Sequence, residues 1–172
     1  MAKNRFKNRI FRYNRRIRGL TNYRKRLAYL KSGKTRLVVR ISNRAVLVQF
    51  VDYDPKGDNV ITSASSLNLS KLGSTLSSGN VTSAYLTGYL AGKKFLKKNK
   101  NNDECIVDLG LQNIYFKGKL FAAIKGVIDA GVKVKVSEDL EFPDENRIKG
   151  EHLKTKDAVK VYEKVKSKID KL

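Results

Sequence analysis

The chain has 172 residues with one cysteine, no tryptophan and a formal net charge of +21, which gives a pI near 10.1. That length suits one domain with an appendage, and the lone Cys105 excludes a disulfide framework and a cysteine-based metal site. Met1 to Val51 holds sixteen Lys and Arg and no acid, so +16 of the charge sits there and +5 on the remainder, an imbalance that calls for a polyanion.

Residues 3–18 read KNRFKNRIFRYNRRIR, with eight bases around Phe6, Ile10, Phe11, Tyr13 and Ile17. A solvated tail accounts for the charge but not for the aromatics, because disordered tails are poor in them. Six of the eight bases are Arg, whose planar fork bridges phosphate oxygens, while rings stack on unpaired bases. Residues 1–19 lack apolar periodicity and repel themselves, so this arm is expected to order only on nucleic acid.

Leu20, Tyr23, Leu27 and Leu30 then fall at helical spacing, with Thr21 or Asn22 as N-cap and Gly33 as C-cap. One side should dock on the body while Arg24, Lys25, Arg26 and Lys31 form a cationic stripe. AYLKSGKT (28–35) fits a loose phosphate-loop pattern, but such a loop needs a strand before it and a helix after it. The order here is reversed, which makes it a helix-to-strand turn.

Three strands follow: 36–41, a turn at Ser42-Asn43 with Asn in the left-handed region, 44–52 as a central strand, and 59–65. After a Ser/Leu-rich connection, Asn80 should cap a helix to about Lys98, whose Ala84, Gly88 and Gly92 suit close packing on a sheet. Cys105 to Leu109 reads as a short buried strand, 119–130 as a helix stopped by Gly131, and 132–136 as an edge strand. Five acids (Glu138, Asp139, Glu141, Asp144, Glu145) mark a loop, and Ala158, Tyr162, Val165, Ile169 and Leu172 outline an amphipathic helix that docks on its own sheet or on a neighbour. The divisions are a basic arm and helix (1–32), an α/β body (33–136), and an acidic loop with C-terminal helix (137–172). The fold class is α/β, with a three-strand antiparallel meander plus a parallel strand in one mixed sheet.

Chemistry-bearing constellations are scarce. His152 is the one histidine, with no nucleophile motif and no second ligand at metal spacing; Asp108 lacks a second spaced carboxylate and is expected to cap a loop. No enzyme activity, cofactor, metal or small-molecule substrate is expected. A membrane-surface role is disfavoured by the narrow apolar face of 20–30 and the lack of a lipidation motif. With no signal peptide and no apolar run near the ~20 residues of a spanning helix, the expected place is cytoplasmic. RNA is favoured over DNA by the interleaved aromatics.

TNYRKRLAYLKSGKTRLVVRISN (21–43), TSAYLTGYLAGKK (82–94), VDLG (107–110), KGKLFAAIKGVIDAG (117–131) and DENRIKGEHL (144–153) together resemble the archaeal and eukaryotic type of large-subunit ribosomal protein eighteen. The resemblance covers most of the chain, in the family's order. It departs at Asn22, Thr35 and Ile41, where Asp, Pro and Arg are usual, and it lacks a Pro near Lys135. It implies a ribonuclease-H-like core without nuclease activity and a place on the ribosome, in the central protuberance. The implied partners are 5S rRNA, large-subunit rRNA and neighbouring large-subunit ribosomal proteins. Carried onto this chain, the RNA-binding residues are Lys3, Arg5, Arg9, Arg12, Arg15, Arg16, Arg18, Tyr23, Arg24, Lys25, Arg26, Lys31, Lys34, Arg36, Arg40 and Arg44.

Overall fold

A computed structural model describes residues 12–99, 104–137, 140–153 and 157–172. Arg36–Ile41 (β1), Val46–Asp52 (β2) and Asn59–Ser65 (β3) form the expected antiparallel meander. Cys105–Asp108 (β4) runs parallel to β1, and Val134–Lys135 (β5) runs parallel to β4 at the edge. The order is β3-β2-β1-β4-β5, a five-stranded mixed sheet.

The first hairpin turn lies one residue beyond the expected Ser42-Asn43. The Ser42 N–H donates to the Ala45 carbonyl at 2.8 Å, and the Ser42 hydroxyl accepts from the Ala45 N–H at 3.0 Å. With the side chain of Ser42 closing the turn, Asn43 needs no left-handed backbone and does not adopt one.

Leu37, Val39, Val46, Val48, Phe50 and Ala64 alternate onto one face of the sheet and are buried there. Two helices cover that face: Val81–Lys98 (α3) and Lys119–Asp129 (α4). Phe95 of α3 stacks on Phe50 at 4.1 Å between ring centroids. Asn80 caps α3 as expected, its Oδ1 accepting from the Ser83 N–H at 2.7 Å, a contact of about 1 kcal/mol.

From Val81 to Gly92 every residue of α3 is buried, so it packs on more than the sheet expected beside it. Sheet, α4, a short helix, Glu145–Lys149 (α5), and a C-terminal helix, Ala158–Asp170 (α6), all pack on it. The glycine row faces α4 and not the sheet. A Cβ at Gly88 would lie 2.0 Å from the Ala123 carbonyl oxygen, and one at Gly126 would lie 2.2 Å from that of Tyr85. The two helices therefore cross backbone to backbone. Gly88→Ala should destabilise the fold by about 1 to 3 kcal/mol, lowering Tm by roughly 2 to 12 °C in thermal unfolding followed by circular dichroism. An unchanged Tm would contradict this crossing.

Of the two docking modes open to α6, the structure shows packing on the chain's own body, although on α3 and the 3-10 turn Ser66–Leu72 instead of the sheet. Ala158, Tyr162, Val165 and Ile169 are buried, while Leu172 is exposed. The Lys166 ammonium lies 5.5 to 6.0 Å from the rings of Tyr85, Tyr89 and Tyr162, within cation–π range. Burial, with Asp170 as hydrogen-bond acceptor, pushes the Tyr89 hydroxyl up to about 12.

Candidate nucleic-acid interface

The second face of the sheet carries Arg36 and Arg40, and here the N-terminal segments meet the body. Asn14–Ile17 (α1) is a single helical turn inside the segment expected to be disordered; residues 1–11, with Lys3, Arg5 and Arg9, lie outside the described residues. Tyr23–Lys31 (α2) is capped by Asn22, whose Oδ1 accepts from the N–H groups of Arg24 and Lys25 at 3.1 Å. Asn therefore does the work of the family's usual Asp at this position. Gly33, with φ +64°, turns the chain left-handed after α2 and sends it into β1. Helix precedes and strand follows, so residues 28–35 form the expected turn and not a phosphate loop. Thr35, in place of a usual Pro, donates its hydroxyl to Asp52 Oδ1 at 2.6 Å.

The expected apolar docking of α2 is largely missing. No α2 residue is fully buried, and Leu20 and Leu27 are more than half exposed. Charge holds the helix instead. Arg26, expected in the outward stripe, turns inward and donates to both oxygens of Asp58 at 3.0 and 2.9 Å.

From there a line of alternating charges crosses the sheet. Arg36 Nη2 lies 2.7 Å from Asp58 Oδ2, Arg36 Nη1 lies 3.7 Å from Asp108 Oδ2, and Arg40 Nη2 lies 3.2 Å from Asp108 Oδ1. Arg36 is only 3% exposed, so its expected role as a surface RNA contact is corrected: it is an interior tie. Its Nε has no hydrogen-bond partner, and the close Nη2 contact is Coulombic, not a well-aligned hydrogen bond. Burial acts to raise the Asp58 carboxyl, but the Arg36 and Arg26 guanidiniums outweigh it and hold the group below its ordinary range.

Asp108 caps a loop as expected, its Oδ1 accepting from the Gly110 N–H at 2.8 Å. It also orients Arg40, which donates to its carbonyl at 2.7 Å and to that of Val39 at 2.9 Å. Glycine is favoured at position 110. Its φ is +65°, and a Cβ would sit 3.0 Å from the Arg40 guanidinium carbon.

Arg15, Lys25, Arg26 and Arg40 converge with Tyr29 and Asp108 on a cavity of about 180 Å³. Pockets for drug-sized ligands run roughly 300 to 1,000 Å³, whereas this one suits a phosphate group. Among the described residues Asp108 is the one acid in the lining, and Arg36 and Arg40 already engage it. Burial first, then Asp108, raises the Tyr29 hydroxyl, with Arg40 opposing; Tyr29 thus stays a neutral donor.

The other expected site residues spread around this cavity. Arg12, Arg16, Arg18, Arg24, Lys31 and Arg44 are exposed and make no ion pair with any described residue. Tyr23 pairs with Tyr13 at 5.3 Å between ring centroids. Lys34 is neutralised by Glu104, whose carboxyl that contact holds below its usual range. The sequence reads 110–118 as a loop but does not foresee that it presents Leu111, Ile114, Tyr115 and Phe116 to solvent beside the cavity. Its signal is IYFKGK, adjacent aromatics followed by two lysines and a glycine.

Among the described residues, no group of three or more His, Cys, Asp or Glu could hold a metal ion, and no helix is long and apolar enough to cross a membrane.

The profile of a family described as ribosomal large subunit proteins 60S L5 and 50S L18 matches residues 4–104. The large ribosomal subunit protein uL18 of Methanothermobacter thermautotrophicus is 43% identical over 141 residues, covering 82% of this chain and 72% of that protein. The uL18 of Korarchaeum cryptofilum is 45% identical over 142 residues (83% of this chain, 71% of its own), and that of Saccharolobus solfataricus 44% over 154 (89% and 73%). On the strength of these matches, the chain belongs to the family of large-subunit ribosomal proteins that comprises 60S L5 and 50S L18.

Proposed function

We propose that this chain binds 5S rRNA and helps attach it to the large-subunit rRNA. Membership of the family makes it a structural constituent of the large ribosomal subunit and not an enzyme. The finer reading rests above all on one observation: Arg15, Lys25, Arg26 and Arg40 surround one phosphate-sized cavity at the base of the basic arm.

The division of labour follows from how each base is held. Arg40 and Arg26 are fixed by Asp108 and Asp58 with a third or more of each side chain still exposed, so they can present remaining N–H donors in set directions. Such preorganised contacts give register and orientation on the RNA. Unpaired Arg12, Arg16, Arg18, Arg24, Lys25, Lys31 and Arg44 supply attraction that is less directional. Lys3, Arg5 and Arg9 extend that role along the arm. Arg36 takes no part in direct contact, and Lys34 contributes only once RNA displaces Glu104.

A competition titration tests the reading. The full chain should retain 5S rRNA when challenged with a duplex DNA of equal length and equal phosphate concentration. Equal affinity for the two would sink the 5S assignment and favour a DNA architectural role.

A further inference from the structure

The loop 110–118 exposes large apolar groups without being loose. The Gln112 amide donates to the Ile41 carbonyl at 3.1 Å, the Gly118 N–H to that of Tyr115 at 3.2 Å, and the Lys117 N–H to that of Glu141 at 3.2 Å. Lys117 has φ +57°, the one positive value on a non-glycine among the described residues, and a conformation held only where its surroundings impose it.

Phe116 stacks on Phe121 at 5.7 Å between centroids and 12° between planes, and Phe121 meets Phe142 edge-on at 6.5 Å. One side of the Phe116 ring is thus fixed, yet the residue is 60% exposed; Tyr115 beside it is 71% exposed. Large apolar groups held exposed on an ordered loop suit an interaction site.

Charge decides what fits it. A groove of about 650 Å³ on one flank includes Asn43, Lys119 and Arg147 with Tyr115, and one of about 540 Å³ on the other includes Lys25 and Lys135 with Phe116. Among the described residues, neither lining contains an acid. Leu111 belongs to both grooves and to the phosphate-sized cavity, so the three form one continuous surface. Flat open rings between cationic walls match a ligand that is planar in its apolar part and anionic along its backbone.

We infer that loop 110–118 is a stacking platform for unpaired nucleobases of the bound RNA, with Phe116 and Tyr115 as the rings and the flanking Lys and Arg holding the phosphates. A base laid on Phe116 would extend the stack that Phe121 begins. The inference rests on the RNA-binding reading above and adds the class of nucleotide that this loop takes.

The test uses the full chain. Phe116→Ala and Tyr115→Ala should each weaken 5S rRNA binding about 5- to 150-fold, while Tyr115→Phe keeps wild-type affinity. Stacking carries no charge, so neither alanine variant should change the slope of log affinity against log salt. Arg15→Ala, by contrast, should lower that slope by about 1. Because the chain has no tryptophan, Tyr115→Trp creates a single reporter. Its emission should be quenched by single-stranded oligoadenylate and not by polyphosphate. Equal quenching by polyphosphate, or wild-type affinity in both alanine variants, overturns the platform and leaves the loop to a protein partner. Failure of the wild-type chain to bind RNA at all would instead remove the reading on which the platform rests.

Discussion

Deleting residues 1–19 should flatten the salt dependence of 5S rRNA binding. The segment carries eight Lys and Arg and no acid. Each phosphate that such a group neutralises releases condensed counterion, so affinity falls as a power of salt concentration. If the arm and α2 together neutralise about 6 to 10 phosphates, the intact protein should lose ~10³ to 10⁵ in affinity between 50 and 200 mM salt. The truncated protein should bind more weakly at low salt and lose far less as salt rises, with the slope reduced by about 1 for each phosphate contact removed. It should still prefer 5S rRNA to duplex DNA, because Arg26 and Arg40 remain fixed on folded elements. Filter binding across a salt series reads both quantities. An unaltered slope after truncation would mean that the arm contributes nothing to RNA binding.

Arg36→Met should damage the fold and spare the RNA contacts. Its guanidinium is buried between Asp58 and Asp108, and removing one partner of a buried ionic set leaves charge uncompensated, typically at 3 to 5 kcal/mol. Asp58 keeps Arg26 and Asp108 keeps Arg40, so the cost should fall at about 3 kcal/mol, a Tm loss of roughly 6 to 12 °C. The salt slope for RNA should match wild type. A lowered slope with unchanged Tm would return Arg36 to the surface role first expected of it. The acid limb gives a second reading. Asp58 is depressed in the folded chain, so its stabilising effect is present above the ordinary carboxylate range, roughly pH 4, and is lost as pH falls through the depressed value. Without Arg36 that acid-side loss should shrink.

How far the sequence spoke for the structure depended on whether neighbours in the chain or distant ones decide the outcome. The meander, both long helices and the Asn80 cap were legible because alternation, helical spacing and capping chemistry act within a few residues. Asp108 as a loop cap was equally local. The fate of Arg36 was not, since its position on β1 gives no hint that Asp58 and Asp108 close on it from separate elements. Arg26 misled for the same reason: on a bare helix it reads as one more outward base. Gly88 and Gly92 announced close packing, but whether a sheet or α4 lay against them depended on tertiary arrangement. Tyr115 and Phe116 give no such sign, because exposure cannot be read from side-chain type alone.

The crossing of α3 and α4 also decides where this chain can change length. An α-helix turns by about 100° per residue, so one residue inserted ahead of Gly88 would swing that glycine off the contact line and bring a side chain onto it. The Ala123 carbonyl, 2.0 Å from where a Cβ would stand, leaves no space for it, and Gly126 imposes the same condition on α4 from the other side. Insertions and deletions are therefore confined to segments outside this pair, such as residues 54–57 ahead of Asp58, where backbone runs over the surface. The two helices behave as matched threads that engage in one register.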